Sequence, residues 1–168
     1  MKVFKYALLA LVLMAATHVE AQKFGYVSSQ ALLAEMPAVK QAEANLDALK
    51  KQLQKKGQQM LTELETNYRE LQRKEAQGDL SPKQIEEEAM KIKEEEQKIA
   101  QFEQDMQRQL LTKQEELMKP VIDQVNQAIE DVASEGGYDY IFDAVGGFIL
   151  YAKESHDVTG KVKAKLGL

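Results

Sequence analysis

Few residues in this sequence have the type and spacing that catalysis or metal binding would require. The 168 residues include no cysteine and only two histidines, His18 and His156. His18 falls in an N-terminal segment that we expect to be removed, so a zinc or acid–base site would depend on one histidine and nearby carboxylates. His156 directly precedes Asp157, and we interpret the two as turn residues before a helix cap.

Two further patterns could support chemistry in principle. Asp139 and Asp143 are four residues apart on one predicted strand, but no nucleophile or base with a fixed partner accompanies this carboxylate pair. Gly160 and Lys161 are similar to the end of a phosphate-binding loop, but Ser155 stands where such a loop requires glycine. We therefore expect no enzymatic activity, no cofactor and no metal site.

Residues 1–21 have the composition of a secretion signal. Lys2 and Lys5 precede an apolar stretch over 6–16, and the segment ends with the small residue Ala21. The apolar stretch is about half of the ~20 residues that cross a bilayer as a helix. We therefore expect a signal peptide that is cleaved after Ala21, and an exported, periplasmic protein.

The mature chain is acidic. Without the signal segment it has 20 basic and 26 acidic residues. Proteins that bind nucleic acid usually present a strongly basic surface, because they must neutralise phosphates. We therefore expect no nucleic-acid partner.

The central region, residues 38–119, is predicted to form a hairpin of two long helices. Lys, Glu, Gln, Leu, Ala and Met dominate its composition, which favours helices at roughly 39–77 and 82–119. In the turn at 78–82, Gly78 is placed to end the first helix and Ser81 to cap the second, and Gln84 completes a capping box with Ser81. Two arms of equal length and a short turn predict an antiparallel pair.

Apolar or small residues recur every eleven positions along both arms, which predicts a seam between nearly straight helices. Gly57 lies within this seam, and two interpretations stay open: a flexing point, or a small residue that permits close approach. The seam residues of the first arm form three series: Ala42, Leu53 and Leu64; Leu46, Gly57 and Tyr68; Leu49, Met60 and Leu71.

The two flanks, 22–37 and 120–168, are predicted to form one small body. The predicted elements are a strand at 23–27, a helix at 30–36, a helix at 120–135, a strand at 138–142 that turns at Gly146 and Gly147, a returning strand at 148–152, and a last helix at 160–166. A body of this size buries little surface, and its strands have open edges, so we expect it to oligomerise. The fold class is mainly α, with a long antiparallel helical hairpin on a small, oligomerising α/β base.

This arrangement resembles the Skp/OmpH family of periplasmic chaperones along nearly all of the mature chain. The matching segments are Phe24-Gly25-Tyr26-Val27, the break at Pro37, the stretch from Pro120 to Asp139, Ile149-Leu150-Tyr151-Ala152, and Asp157-Val158-Thr159. The resemblance implies a homotrimer whose helical arms surround a cavity, where unfolded outer-membrane β-barrel proteins are held without ATP and kept from aggregating.

The resemblance and the residue pattern together assign residues to the oligomerisation body and to client contacts. Those expected in the oligomerisation body are Phe24, Tyr26, Val27, Tyr138, Ile141, Phe142, Ile149 and Tyr151. Those expected to contact unfolded clients are apolar residues off the seam, Leu61, Met90 and Leu111, because flexible apolar side chains adapt to varied partners.

The charge of the arm departs from the basic members of the family. Residues 39–77 carry eight basic and six acidic side chains, and residues 78–119 carry seven and eleven. This balance argues against binding of lipopolysaccharide. The alternative function is that of an envelope coiled-coil adaptor or structural protein that bridges fixed partners, which predicts a concentrated patch near the tip at Leu80.

Overall fold

A computed structural model describes residues 22–168, so the predicted signal peptide lies outside the described residues. The elements are β1 (Phe24–Val27), α1 (Ser29–Glu35), α2 (Pro37–Gln77), α3 (Pro82–Gly136), β2 (Tyr140–Asp143), a 3-10 helix (Glu154–His156) and α4 (Thr159–Leu166). They form two compact units. Residues 33–124 make up the hairpin unit, and residues 22–32 with 125–168 make up the body unit.

The chain reverses between α2 and α3 through a turn whose local signals are all present. Gly78 has φ of 71° and ends α2, and its amide donates to the carbonyl of Glu75 at 3.1 Å. The left-handed backbone conformation costs glycine little energy, because glycine has no Cβ. The Ser81 amide donates to Gln84 Oε1 at 2.9 Å, and the Gln84 amide donates to Ser81 Oγ at 3.4 Å. The predicted reversal is confirmed.

Helices α2 and α3 are antiparallel within the hairpin unit. The side chain of Asn67 donates a hydrogen bond to Glu95, and Gly57 faces Phe102. Residue numbers therefore rise along one helix as they fall along the other. The buried side chains of this unit are Met36, Val39, Ala42, Leu53, Ile92, Ile99 and Val121. Among them, Ala42 and Leu53 belong to the predicted seam of the first arm.

Gly57 permits close approach between the two helices. A Cβ atom at this position would lie 3.3 Å from Cε1 of Phe102. The ring therefore occupies the space that a larger side chain would need. Of the two interpretations left open by the sequence, this contact favours the packing role.

Helix α3 continues through Pro120, so the prediction of a separate helix from Pro120 to Glu135 is wrong. A proline inside a helix removes one backbone hydrogen bond and strains the preceding turn. The apolar pattern nevertheless continues beyond it, and Val121, Val125, Ala128 and Val132 are all buried at helical spacing. Burial of these side chains outweighs the local penalty. The boundary between the compact units follows Gln124 rather than Lys119.

The body unit is organised around β1. Its residues pair in parallel with β2, from Phe24 opposite Tyr140 to Val27 opposite Asp143. On the other side of β1, Tyr26 forms a bridge with Asp157, and its carbonyl accepts the amide of Val158 at 2.9 Å. The most deeply buried side chains come from β1, α1 and α4 with its cap residue, and they are Val27, Leu32, Val158 and Val162. The N-terminal strand therefore lies at the centre of this unit.

The predicted pairing of the strand at 138–142 with a returning strand at 148–152 is wrong for this chain. Gly146 and Gly147 do turn the backbone, with φ of 101° and 74°. The strand that follows Tyr138 pairs with β1 instead, because β1 contributes the buried Val27 to the same sheet. Within the described residues, the segment 148–152 forms no strand.

The last helix begins close to its predicted start. The cap position is held by Val158, which makes no side-chain capping hydrogen bond, so the expected cap at Asp157 or Thr159 is wrong. Asp157 Oδ1 instead accepts the amide of Thr159 at 2.8 Å in the turn that precedes the helix. The Thr159 hydroxyl serves a different purpose, because it accepts the amide of Ser28 at 3.0 Å. No helix among residues 22–168 is both long enough and apolar enough to cross a membrane.

Candidate interaction surfaces

One face of the β1–β2 sheet presents a row of exposed aromatic rings. The parallel register places Phe24 beside Tyr140 and Tyr26 beside Phe142, all on one face, since side chains alternate along a strand. The ring of Phe24 stacks on that of Tyr140 at 5.8 Å and lies 6.2 Å from that of Phe142. Phe24, Tyr140 and Phe142 are 41%, 53% and 48% exposed. We call these three residues the aromatic face.

The segment after β2 is more exposed still. Phe148, Leu150 and Tyr151 are 90%, 95% and 83% exposed, which is unusual for three large apolar side chains so close in sequence. Single exposed apolar residues are ordinary in monomeric proteins. A group of them next to the aromatic face forms a candidate interaction surface. We call residues 148–151 the exposed segment.

The residues assigned to the body from the sequence divide between core and surface. Val27 is buried, whereas Tyr26, Tyr138, Ile141 and Ile149 are partly exposed. Phe24, Phe142 and Tyr151 lie on the aromatic face or in the exposed segment. Sequence reasoning missed Tyr140, Phe148 and Leu150. The alternation of β2 could have found Tyr140, because it shares a face with Phe142.

Tyr138 joins the first residues of the body unit to its last helix. The ammonium groups of Lys23 and Lys161 lie 4.3 Å and 5.4 Å from the centre of its ring. Lys23 also donates to the carbonyl of Gly136, and Lys161 donates to the Tyr138 hydroxyl at 3.2 Å. These contacts hold three distant segments together.

The two carboxylates that could have formed an acid–base pair serve separate structural contacts. Asp139 Oδ2 accepts the backbone amide of Lys23 at 2.6 Å. Asp143 accepts the amide and hydroxyl of Ser29 and the amide of Val145. Partial burial alone would raise the pKa of Asp143, but these hydrogen bonds outweigh it and lower the pKa below its usual value. Asp143 therefore stabilises the start of α1 as an anion.

His156 lies in the 3-10 helix before α4, where it borders a shallow depression. Phe24, Phe142, Ile149 and Tyr151 line the same depression, so its surroundings are mainly aromatic and aliphatic. Among residues 22–168, no group of three or more His, Cys, Asp or Glu side chains is arranged to hold a metal ion.

The three residues proposed to contact clients are exposed on the hairpin unit. Leu61, Met90 and Leu111 are 46%, 60% and 58% exposed. At about 100° per residue, Met90 lies about 160° around α3 from the buried Ile92. These side chains are therefore dispersed over the helices and form no single patch.

Comparison with known proteins identifies the family. No curated protein sequence matches this chain significantly. A solved structure from Caulobacter crescentus CB15, described as a candidate outer membrane chaperone (OmpH-like), aligns with a TM-score of 0.74 at 18% sequence identity, over 90% of this chain and 88% of that chain. That similarity concerns the fold.

The sequence itself matches the family model "Outer membrane protein (OmpH-like)" over residues 23–166. This match extends from the residue before β1 to the last residue of α4. The resemblance noted in the sequence is confirmed. The chain belongs to the OmpH-like outer membrane protein family.

Proposed function

We propose that this protein is a periplasmic holding chaperone, which binds unfolded outer-membrane β-barrel proteins and prevents their aggregation without consuming ATP. Three copies associate through their body units, and their helical hairpins surround the client. Many weak contacts from three hairpins act at high effective concentration, so a client is retained although each contact breaks quickly. Release requires only a destination that binds the client better.

The family match over residues 23–166 is the observation that carries this proposal. It includes both the body unit and the hairpin unit, so the proposal does not depend on one short motif. The related Caulobacter crescentus protein is described as a candidate outer membrane chaperone. Export agrees with the signal-like composition of residues 1–21.

The surface of the body unit supports self-association. The aromatic face and the exposed segment leave large apolar side chains open to water, and burial of such surface is the main driving force of association. The β1–β2 sheet has only two strands, and further strands from other copies would cover its free edge. The homotrimer itself follows from the family resemblance.

The hairpin unit supports dispersed contact with clients. Its exposed surface mixes charges of both signs in ion pairs along each helix, such as Lys51 with Asp47 at 2.7 Å and Lys119 with Asp123 at 2.9 Å. Such pairs contribute little stability but keep exposed helices soluble. Isolated apolar side chains, including Leu61, Met90 and Leu111, are the proposed contacts between these charges.

An aggregation assay tests the proposal. A β-barrel protein unfolded in urea is diluted into buffer with or without the purified mature chain, in the absence of nucleotide, and light scattering is followed. We expect scattering to be suppressed near one trimer per client. Unchanged scattering across a wide excess of the chain would favour an envelope adaptor over a chaperone.

Two sets of variants separate client contact from assembly. The triple substitution Leu61→Ser, Met90→Ser and Leu111→Ser should raise the chaperone concentration needed for half suppression. A matched triple substitution of exposed polar residues, Gln59→Ser, Lys93→Ser and Gln114→Ser, should not.

Substitutions in the exposed segment test assembly. Leu150→Glu with Tyr151→Glu places charges on the surface that other copies are proposed to cover, so gel filtration should show monomers. Tyr68→Glu is the matched control, because Tyr68 is also exposed but lies on the hairpin unit. If the double variant stays trimeric, the exposed segment is not part of the proposed interface.

A further inference from the structure

A polar pair interrupts the apolar seam of the hairpin unit. Asn67 on α2 donates from Nδ2 to both carboxylate oxygens of Glu95 on α3, at 2.9 Å and 3.0 Å. Both side chains are partly buried. Tyr68, which the eleven-residue repeat assigns to the seam, is 51% exposed, so Asn67 takes the inward position instead.

Apolar layers lie on both sides of this pair. Leu64 and Leu71 are three residues before and four residues after Asn67, and Ile92 and Ile99 flank Glu95 in the same way. Residues three and four apart share a helix face, so the two polar side chains occupy positions where the pattern calls for leucine or isoleucine. Ile92 and Ile99 are buried.

Polar side chains at such positions are favourable only in one arrangement of the helices. If one helix slides along the other by about one turn, or roughly 5 Å, the regularly spaced apolar residues of the two helices face each other again. After that slip, the amide of Asn67 and the carboxylate of Glu95 would face apolar side chains without each other as partners, which is costly. In coiled coils, single polar residues select the register at some cost in stability.

The neighbouring ion pairs cannot provide the same selection. Glu70 pairs with Lys74 at 2.9 Å, and Glu88 pairs with Lys91 at 2.6 Å, each within one helix. These pairs therefore persist in any register. The contact between Asn67 and Glu95 joins the two helices and is lost when either one slides.

We propose that the hydrogen-bonded pair of Asn67 and Glu95 fixes the register in which α2 packs on α3. The pair selects against slipped hairpins that the apolar seam alone would tolerate. This role is independent of the proposed chaperone function, because it concerns the packing of the hairpin unit alone.

The distance between two spin labels reports the register directly. The chain lacks cysteine, so Gln59→Cys and Lys93→Cys provide two specific labelling sites on exposed positions of α2 and α3. These sites are offset along the helix axes and lie on different helices, so an axial slip of about 5 Å changes their separation by a smaller amount, a few Å. Labelled chains are refolded with an excess of unlabelled chains, so that each assembly holds one labelled copy. The distance distribution is measured by pulsed electron paramagnetic resonance.

The decisive comparison uses two double variants. Asn67→Leu with Glu95→Leu makes the seam apolar throughout, and we expect a second distance that differs from the first by a few Å. Asn67→Glu with Glu95→Asn exchanges the partners, and we expect the single native distance. A conservative exchange in the next layer, Leu71→Ile with Ile92→Leu, is the control and should also keep one distance.

Two results would overturn the proposal. One is a single native distance in the doubly leucine-substituted chain, since the apolar seam would then fix the register by itself. The other is the same second distance in the variant with exchanged partners, since the pairing would then not be the cause.

Discussion

Leu32 tests how firmly the body unit is held by its small core. This side chain is fully buried at 0% exposure, together with Val27, Val158 and Val162, which come from other segments of the chain. Leu32→Ala removes three carbon atoms, worth about 2.4 kcal/mol at ~0.8 kcal/mol for each buried methylene. The residual cavity adds to this loss, so we expect a total of about 2–5 kcal/mol in the free energy of unfolding.

Urea unfolding followed by tyrosine fluorescence measures this loss. The chain has no tryptophan, and four of its tyrosines lie in the body unit, so their emission reports mainly on that unit. Protomer concentration must be equal in all samples, because self-association stabilises the folded chain. Leu168→Ala is the matched control, because Leu168 lies in the same unit and is 38% exposed, and it should change stability by no more than about 0.5 kcal/mol. Equal losses in the two variants would refute the assignment of Leu32 to the core.

Three further substitutions test local features. The lowered pKa of Asp143 means that its anion stabilises the fold above the ordinary carboxyl range and that this contribution is lost as pH falls through the lowered value. Asp143→Asn should therefore remove part of the acid sensitivity seen in pH-dependent urea unfolding, and identical acid profiles would contradict this account. Pro120→Ala should raise the melting temperature, with a gain of up to ~3 kcal/mol, because it restores a helical hydrogen bond in α3; a lower melting temperature would show that the proline is needed. Gly57→Ala should stabilise the hairpin by about 1 kcal/mol when Phe102→Leu removes the facing ring, and by less when the ring is present; equal effects in thermal unfolding would exclude close packing.

The hairpin could be predicted because its signals are local. Gly78, Ser81 and Gln84 each form the contact that their position in the turn predicts. Such contacts join residues that are close in sequence, so a short stretch of sequence is enough to predict them. The composition of both helices added a consistent preference over long windows.

Pro120 shows where a local rule fails. Proline usually marks the end of a helix, but the buried Val121 and Val125 continue the apolar pattern beyond it. The outcome depends on packing against other segments, which a single sequence does not display. Helix boundaries at proline are therefore favoured but not fixed.

The strand pairing of the body unit could not be read from its turns. Gly146 and Gly147 are typical of a hairpin, but β2 pairs with β1, whose residues lie more than a hundred positions earlier. Alternation along a strand identifies two faces without showing which one is buried. The sequence predicts both Val27 and Phe24 in the body, and the structure places Val27 in its core and Phe24 on the aromatic face.

The mass of a client complex tests the central claim most directly. A β-barrel protein unfolded in urea is diluted into the mature chain without nucleotide, and the complex is weighed by native mass spectrometry. The proposed function predicts three copies of the chain with one client, and hydrogen exchange should show that the bound client is unfolded. Three copies without client, under conditions where the client alone aggregates, would contradict the account.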